Sequence, residues 1–306
     1  MPEQMKALVV GARTVRQGTG PFLTAALHKL NVEIAAVIGT TPETAAEAAS
    51  TLQTKLGISA GSYSDLDDAI NIERPALIVL CSPWQYHEEQ LKKIASGGCH
   101  CLVEKPLIWP GSEEAVAKIV DQFDAKGLLL QMVAQWPFAL SAFESLFGPS
   151  PENIDTFNMR LSPISLGPVM VPDAAPHFLS LLQALVGPGE CREVSIEQSG
   201  QEHLSLCCHY EHAGGSVHAT LELQTVSQRP RPAWIEINGQ RAERQVELPD
   251  YRQFLSGAGR QVALPDPMDQ VAADFVGNLQ RGERTNRPLL KSLQRNLCTL
   301  AAAWPS

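Results

Sequence analysis

The sequence predicts an α/β protein of two domains: a doubly wound parallel sheet, followed by an α+β domain with a mostly antiparallel, open-faced sheet. Apolar runs and helical segments alternate up to about residue 130. Several strand-like runs then follow one another without intervening helices, and two helical segments close the chain. Alternation of strands and helices with nearly continuous apolar strands is typical of a parallel sheet covered on both faces. We place the domains at residues 1–127 and 128–306.

The elements of the first domain follow from local signals. The clearest helix begins at Pro42, because Thr41 precedes it as a candidate N-cap and Gly57 follows it as a stop signal. The apolar runs that predict five strands are MKALVVGA, VEIAAVIG, ALIVLCSP, HCLVE and LLLQMVA.

The second domain begins with an apolar helix in PHFLSLLQALVG, in which Phe178, Leu181, Leu182 and Leu185 share one face. Strands are predicted in EVSIEQ, LSLCCHYEH, SVHATLELQ, AWIEING and RQVEL, and the closing helices in DQVAADFVGNLQRG and LLKSLQRNLCTLAAAW. A sheet with one open face needs a cover, so this face is a candidate surface for self-association.

Composition narrows the class of protein. The formal net charge of −9 excludes a generally basic face for nucleic acid, although one or two cations would suffice for a small anionic ligand. The sequence predicts no membrane partner, because no apolar run approaches the ~20 residues that cross a bilayer. The N-terminus leads directly into a strand and lacks the pattern of a secretory signal. We therefore expect a cytoplasmic protein that acts on a small molecule.

The cysteines and histidines predict no metal site. Seven cysteines are an odd number in a long chain, which is not typical of a disulfide framework. Cys99 and Cys101 have C-x-C spacing, but no second half of a zinc site occurs elsewhere. His209 and His212 differ in parity along a predicted strand, so they point to opposite faces.

A glycine-containing loop follows the first strand, where a doubly wound sheet binds its ligand. A Rossmann-type dinucleotide site expects G-x-G-x-x-G at this point, so that the backbone can approach a pyrophosphate at a helix N-terminus. Gly11 is present, Arg13 stands where the second glycine is expected, and Gly18 and Gly20 come later. The loop is thus a candidate cofactor site, and a loop that merely turns the chain is the alternative.

The end of the second strand indicates which cofactor is preferred. An acidic residue there usually binds the ribose 2′-hydroxyl of NAD. This sequence has Gly39, Thr40 and Thr41 instead, so no carboxylate repels a 2′-phosphate. Arg13 and Arg16 on the adjacent loop could pair with such a phosphate, or could be solvated loop residues. The pattern favours NADP, with NAD as the alternative.

The stretch CSPWQYHEEQLKKIASGGCHCLVEKPL resembles the Gfo/Idh/MocA oxidoreductases, the group of glucose–fructose oxidoreductase and inositol dehydrogenase. The family pattern is a strand ending in Thr-Pro, then a His, a helix and G-K-H-V-L-C-E-K-P. Ser82-Pro83 stands for Thr-Pro, His87 matches the His, and Gly98 to Pro106 matches the last part with three substitutions. The departures are the glycine loop, Gly39, and Gln135-Trp136-Pro137, where many members carry arginine.

The likeness continues into the second domain. VPDAAPHFLSLLQALVG resembles the family's D-x-x-x-H-x-x-D-L-L helix start, with Asp173 and His177 in place and Ser180 for the later Asp. The closing helices also resemble those of the family. Asp173 lies between Pro172 and Pro176, so an alternative role for it is the N-cap of this helix.

The resemblance implies roles for individual residues. Lys105 of E-K-P would face both nicotinamide and substrate and stabilise the oxyanion that develops during hydride transfer. His177 would act as general acid or base, because the ordinary pKa of histidine, ~6.5, is near operating pH. Asp173 would orient His177 or bind a substrate hydroxyl. The resemblance thus implies that Lys105, Asp173 and His177 form one site between the domains. The remaining cofactor-site candidates by resemblance are Ser82, Pro83, His87 and Glu104.

The resemblance also implies the reaction and assembly. We expect an NAD(P)-dependent oxidoreductase that transfers hydride between nicotinamide and a small carbonyl or alcohol, such as a sugar, cyclitol or related polyol. We also expect a homodimer or homotetramer. Two alternatives keep the fold: a regulatory member without catalysis, and an enzyme that uses bound nicotinamide for transient oxidation in elimination or hydrolysis.

Overall fold

The structure is a computed structural model that describes residues 4–13, 18–248 and 251–304. The chain divides into two compact units: unit 1 is Met1–Val133 with Met268–Arg287, and unit 2 is Ala134–Pro267 with Pro288–Ser306. This division differs from the predicted boundary after residue 127, because one more strand joins the first sheet and a late helical segment returns to it.

Unit 1 contains a six-stranded sheet in the order β3-β2-β1-β4-β5-β6, and every pairing within it is parallel. The order of a Rossmann fold, with a switch of direction beside β1, is therefore present, and the predicted fold class of the first domain is confirmed. The strands are β1 Lys6–Val10, β2 Glu33–Ile38, β3 Gly61–Tyr63, β4 Leu77–Leu80, β5 His100–Val103 and β6 Leu130–Met132.

The sequence analysis predicted five strands here and missed β3. Its three residues, Gly-Ser-Tyr, are partly or fully exposed and have no apolar pattern, so only their pairing with β2 defines them as a strand. The helices of this unit are α1 Gly20–Lys29, α2 Pro42–Leu56, α3 Leu66–Glu73, α4 His87–Ser96, α5 Glu113–Asp124 and, from Met268 onward, α8 Pro267–Gln280.

The outer edge of β6 is covered by the segment that returns to unit 1. The backbone N–H of Leu130 donates to the Thr285 hydroxyl at 2.9 Å. The Gln131 side-chain amide donates to Asp274 and accepts from Asn278, at 2.9 and 3.0 Å. These bonds satisfy polar groups that an edge strand would otherwise expose.

Unit 2 contains an eight-stranded sheet in the order β14-β13-β12-β11-β7-β10-β9-β8. Every neighbouring pair is antiparallel except β7 and β10, so the predicted mostly antiparallel sheet is confirmed. The strands are β7 Thr156–Leu161, β8 Gly189–Ser199, β9 His203–His212, β10 Gly215–Gln224, β11 Trp234–Ile237, β12 Gln240–Glu247, β13 Arg252–Gly257 and β14 Arg260–Leu264.

The two faces of this sheet differ along β7. Phe157, Met159 and Leu161 are buried, whereas Asn158 and Arg160 on the other face are partly exposed. Phe157 stacks on Phe178 of the apolar helix, with ring centroids 5.3 Å apart. The helices of this unit are α6 Leu140–Phe147, α7 Met170–Val186 and, from Pro288 onward, α9 Arg287–Ala302.

Helix α7 begins earlier than the sequence predicted. The expected start lay near Pro176, but the structure begins the helix at Met170 and contains Pro176 in its interior. Pro172, in the first turn, costs no helical hydrogen bond, because the first N–H groups of a helix lack partners. Pro176 removes one interior N–H, and the burial of Phe178 and Leu182 holds the helix together.

The structure corrects one expectation about apolar length. Among the described residues, Gly167–Val186 is a 20-residue helical stretch apolar enough to cross a membrane, whereas the sequence analysis found no run approaching that length. In this fold 67% of that stretch is buried, as is typical of a core helix.

Candidate functional site

The carboxyl ends of β1, β4 and β5 form the candidate cofactor site of unit 1. Gly11 directly follows β1 with a φ of +85°, and its N–H donates to Ile38 at 3.1 Å. A Cβ on Gly11 would lie 2.5 Å from the Cys81 carbonyl oxygen, and a Cβ on Gly20 would collide with the Gly11 carbonyl oxygen. Both positions therefore require glycine for close packing, whereas a Cβ on Gly18 would meet no atom within 4 Å. Arg16 lies outside the described residues.

The N-terminus of α1 fits a bound pyrophosphate. Thr19 occupies the N-cap position, but its side chain makes no capping hydrogen bond, and the first turn has no acidic residue. The backbone N–H groups of Gly20 and Phe22 and the positive end of the helix dipole can bind an anion, whereas Pro21 has no N–H and Leu23 donates to Thr19. Thr19 instead donates its hydroxyl to the Glu104 carboxylate, which joins the loop exit to the end of β5.

The end of β2 has a steric reason for lacking an acidic residue. A Cβ on Gly39 would lie 2.5 Å from the backbone nitrogen of Ala45, because the first turn of α2 packs against it. Thr41 is the N-cap of α2 and forms a capping box with Thr44, as its position before Pro42 predicted. The Thr40 hydroxyl lies 3.5 Å from that of Thr44.

Arg13 is paired rather than free in this structure. Its guanidinium lies 2.6 Å from the Glu47 carboxylate on α2, and the two side chains retain 38% and 51% of their exposure. A pair this exposed contributes about 0–1 kcal/mol to stability.

Lys105 follows β5 in a backbone turn that Pro106 fixes. The Lys105–Pro106 peptide bond is cis, Lys105 is partly buried, and Pro106 and Leu107 are buried. The turn is thus anchored on both sides: Glu104 binds Thr19 before it, and buried residues follow it.

His87 holds this turn against the end of β4. Its Nε2 lies 2.8 Å from the Ser82 carbonyl oxygen, and its Nδ1 lies 3.0 Å from that of Pro106 and 3.2 Å from that of Leu107. Burial lowers the pKa of His87, and its hydrogen bonds to these carbonyls oppose the shift. His87 is fully buried, and its ring nitrogens lie against backbone carbonyl oxygens that follow β4 and β5.

The remaining unit 1 candidates also lie at this edge. Ser82 donates its hydroxyl to Gln90 at 2.5 Å, and Pro83 precedes a short 3₁₀ turn, Trp84–Tyr86, that leads into α4. Burial, and to a smaller extent the negative charge of Glu104, raise the pKa of the neighbouring Cys81 thiol. Cys81 is therefore a neutral thiol under ordinary conditions.

Asp173 and His177 lie one turn apart on α7 in unit 2. Four residues along a helix bring side chains to one face, so the two share a face as the sequence analysis expected for a helical segment. Asp173 lies inside the first turn and Val169 is the N-cap residue, so the alternative N-cap role of Asp173 does not apply. Its carboxylate accepts a hydrogen bond from the Ser165 hydroxyl at 2.8 Å.

Sequence reasoning missed Thr19, Gln90 and Ser165 as supporting residues. Thr19 precedes Gly20-Pro21, which is a recognisable helix start, but its bond to Glu104 joins residues far apart in sequence. Ser165 precedes α7 in a segment whose sequence gave no sign of its contact with Asp173. Over the described ranges, the structure groups no three His, Cys, Asp or Glu side chains that could hold a metal ion.

The site and the strand order of unit 1 define a dinucleotide-binding protein, and comparison with known families agrees. The sequence model described as oxidoreductase family, NAD-binding Rossmann fold, matches residues 5–133. Residues 5–133 are thus similar to the NAD-binding domain of the Gfo/Idh/MocA oxidoreductases, and the predicted resemblance is confirmed over that range. A search of curated proteins finds no match.

Solved structures resemble the chain over nearly its whole length. UDP-N-acetylglucosamine 3-dehydrogenase GnnA from Acidithiobacillus ferrooxidans is 17% identical, with a TM-score of 0.73, over 98% of this chain and 97% of that chain. A probable dehydrogenase from Thermotoga maritima is 14% identical, with a TM-score of 0.75, over 98% and 96%. An oxidoreductase from Agrobacterium radiobacter in complex with NAD+, L-tartaric acid and magnesium is 13% identical, with a TM-score of 0.72, over 98% and 96%. At these identities the likeness shows a shared fold.

Proposed function

We propose that this protein transfers hydride between a nicotinamide cofactor and a small carbonyl or alcohol substrate, of the class of sugars, cyclitols and related polyols. The observation that carries the proposal is Lys105, which follows β5 within a unit similar to NAD-binding domains. The similarity to a UDP-N-acetylglucosamine 3-dehydrogenase supports a sugar-like substrate.

The residues present fit a dinucleotide. Gly11 and Gly20 keep the β1–α1 turn compact, and the uncapped N-terminus of α1 offers donors to a pyrophosphate. Ser82, Pro83 and Glu104 would bind nearer the nicotinamide. When bound, the cofactor supplies or accepts the hydride.

Lys105 and His177 would share the chemistry on the substrate oxygen. The Lys105 ammonium would bind that oxygen and stabilise negative charge on it. The His177 imidazole would take the proton from the hydroxyl during oxidation and return it during reduction. Asp173, held by Ser165, would orient His177 or bind a second substrate hydroxyl.

The preferred cofactor in this proposal is NADP. Residues 39–41 contain no carboxylate, and Arg13 lies beside α2 in a weak, exchangeable ion pair with Glu47. A ribose 2′-phosphate would replace that carboxylate as the partner of Arg13.

The cytoplasmic setting proposed for this activity agrees with the cysteines, since none of the seven forms a disulfide in the described residues. The assembly we propose is a homodimer or homotetramer that covers the open face of the unit 2 sheet.

The test is a panel of carbonyl compounds and polyols with both cofactors, followed by the absorbance of reduced nicotinamide. Net turnover on a sugar, cyclitol or polyol supports the proposal. Product formation without a net absorbance change would favour transient oxidation in elimination or hydrolysis. Cofactor binding without reaction on any compound would favour a regulatory role.

A further inference from the structure

A pocket in unit 2 has an arginine at its base. Arg244 projects from β12 on the same side as Ala242, which is the buried side of the sheet. The pocket encloses about 430 Å³ of space, part of it open to solvent. Its other lining residues are Gln135, Trp136, Phe138, Ala139, Gln253, Leu264, Pro265 and Pro267, all of unit 2.

The Arg244 guanidinium is only partly satisfied by the protein. One Nη donates to the Arg231 carbonyl oxygen at 3.0 Å, and the guanidinium carbon lies 5.7 Å from the Trp136 ring centre. Its Nε is shielded from solvent and has no hydrogen-bond acceptor in the part of the chain that the structure describes. No carboxylate among residues 4–13, 18–248 and 251–304 forms an ion pair with Arg244.

The charge at this position is unfavourable without a counter-ion. Burial and the nearby positive charge of Arg231 both lower the pKa of Arg244. Arginine stays protonated in proteins, so Arg244 carries a buried positive charge that no counter-ion among the described residues compensates. The cation–π contact with Trp136 offsets only part of this cost.

The rest of the lining suits a small organic anion. Gln135 and Gln253 bring side-chain amides that can donate hydrogen bonds to oxygen. Leu264, Pro265 and Phe138 bring an apolar wall. A planar guanidinium pairs with carboxylate and phosphate oxygens through two parallel hydrogen bonds, and spherical anions cannot reproduce this geometry.

We propose that this pocket is a binding site for an organic oxyanion, a carboxylate or a phosphate ester, with its charged group paired to Arg244 and its carbon skeleton against the apolar wall. The pocket shares no lining residue with the proposed dinucleotide site, since every lining residue belongs to unit 2. It therefore stands whether or not the protein catalyses hydride transfer.

The test measures thermal unfolding and calorimetric binding with inorganic phosphate, acetate and chloride at matched ionic strength. We expect saturable binding of phosphate, acetate or both, and no saturable effect of chloride. Tighter binding of phosphate than of acetate would identify the ligand as a phosphate ester. Tighter binding of acetate would identify it as a carboxylate. Arg244→Gln should weaken this binding at least about tenfold, and Arg244→Lys should weaken it less because it keeps the charge.

Two further variants test whether the oxyanion binds in this pocket and not elsewhere on the protein. Arg241→Gln is the control, since Arg241 is an exposed arginine of β12 that lies 4.0 Å over the Trp234 ring, and its loss should leave oxyanion binding unchanged. Gln253→Glu places a tethered carboxylate in the pocket, so it should raise the melting temperature without added anion and abolish the response to phosphate.

The result that overturns the proposal is the absence of saturable oxyanion binding by the wild-type protein, or equal binding by Arg244→Gln. If Arg244→Gln fails to fold, Gln253→Glu decides, because an unchanged response to phosphate in that variant excludes the site.

Discussion

The imidazole Nδ1 of His87 lies 3.0 Å from the carbonyl oxygen of Pro106, so the first residue of α4 supports the turn that presents Lys105. The opposite ring nitrogen reaches the carbonyl oxygen of Ser82 at 2.8 Å. A neutral imidazole carries one N–H and donates to only one of these sides. The ring therefore joins two strand ends by filling the space between them as well as by hydrogen bonding.

Replacing His87 with Ala should lower the free energy of unfolding by about 2–4 kcal/mol, because it leaves a cavity and buried carbonyls without a donor. Turnover should fall as well, since the Lys105 turn loses its support. Denaturant unfolding and steady-state kinetics check both effects. His87→Gln is the matched control, because its amide can still donate to a carbonyl. Equal stability of the wild type and His87→Ala would contradict this role.

The same side chain predicts a pH dependence. Burial lowers the pKa of His87 below its ordinary 6.5, so the unfolded chain binds more protons than the folded chain just below that pH. This contribution to stability is complete above about pH 6.5 and is lost as the pH falls through the lowered pKa of the folded state. The stability of His87→Gln should depend less on pH over this interval.

Replacing Lys105 with Met should reduce turnover by at least about 100-fold while the cofactor binds nearly as before, because the lost interaction belongs to the transition state. Turnover and fluorescence titration with reduced cofactor measure the two effects. Lys118→Met on the exposed face of α5 is the control and should match the wild type. Full activity of Lys105→Met would exclude Lys105 as the group that binds the substrate oxygen.

Arg13 and Glu47 should affect NADPH binding in opposite directions. Arg13→Gln should weaken NADPH about tenfold and NADH little, since only NADPH carries the 2′-phosphate. Glu47→Gln removes the carboxylate that now holds Arg13 and should strengthen NADPH binding. Titration of each variant with both reduced cofactors is the measurement. Wild-type binding of NADH as tight as NADPH would contradict the preference.

His177→Ala should lower the rate by about 100-fold or more if the imidazole moves the substrate proton. Combining it with Lys105→Met tests whether both act on one transition state. In that case the double variant should lose less than the sum of the two single effects, since residues that act as a unit are not additive. Strictly additive losses would indicate independent roles.

The proposed homodimer or homotetramer should depend on the open face of the unit 2 sheet. Thr220 and Cys207 lie side by side there on β10 and β9, with their side-chain oxygen and sulfur 3.5 Å apart. Thr220→Arg should shift the light-scattering mass towards a monomer. Gln53→Arg on the exposed side of α2 should leave the mass unchanged. A wild-type monomer at micromolar concentration would refute the expectation.

The sequence was sufficient to predict an element where the local residue pattern agrees with the element that the fold contains. The buried run from His100 to Val103 predicts β5, and Thr41 with Pro42 predicts the start of α2. It failed where distant pairing defines the element. Strands β13 and β14 were not predicted, because their mixed segments become regular only beside their partners. Strand β7 and helix α6 were also missed, although the alternation in TFNMRL and the apolar spacing in LSAFESLF are local signals.

The candidate site shows the same limit. The family resemblance made Lys105, Asp173 and His177 candidates, but it gave no sign of the groups that hold their surroundings. The bond from Thr19 to Glu104 and the contacts from His87 to Pro106 join separate elements, so they arise from tertiary packing. Pro172 and Pro176 indicated a helix boundary, and burial of the α7 side chains overrode that local signal.

The cover on β6 has a consequence for synthesis of the protein on the ribosome. The residues that satisfy Leu130 and Gln131 are Thr285, Asp274 and Asn278, and they are translated only after most of unit 2. Until those residues are synthesised, the nascent dinucleotide-binding unit exposes the unpaired edge of β6. An exposed strand edge can pair with other chains. Holding factors that shield nascent chains should consequently matter more for the yield of this protein than for one whose first domain is contiguous.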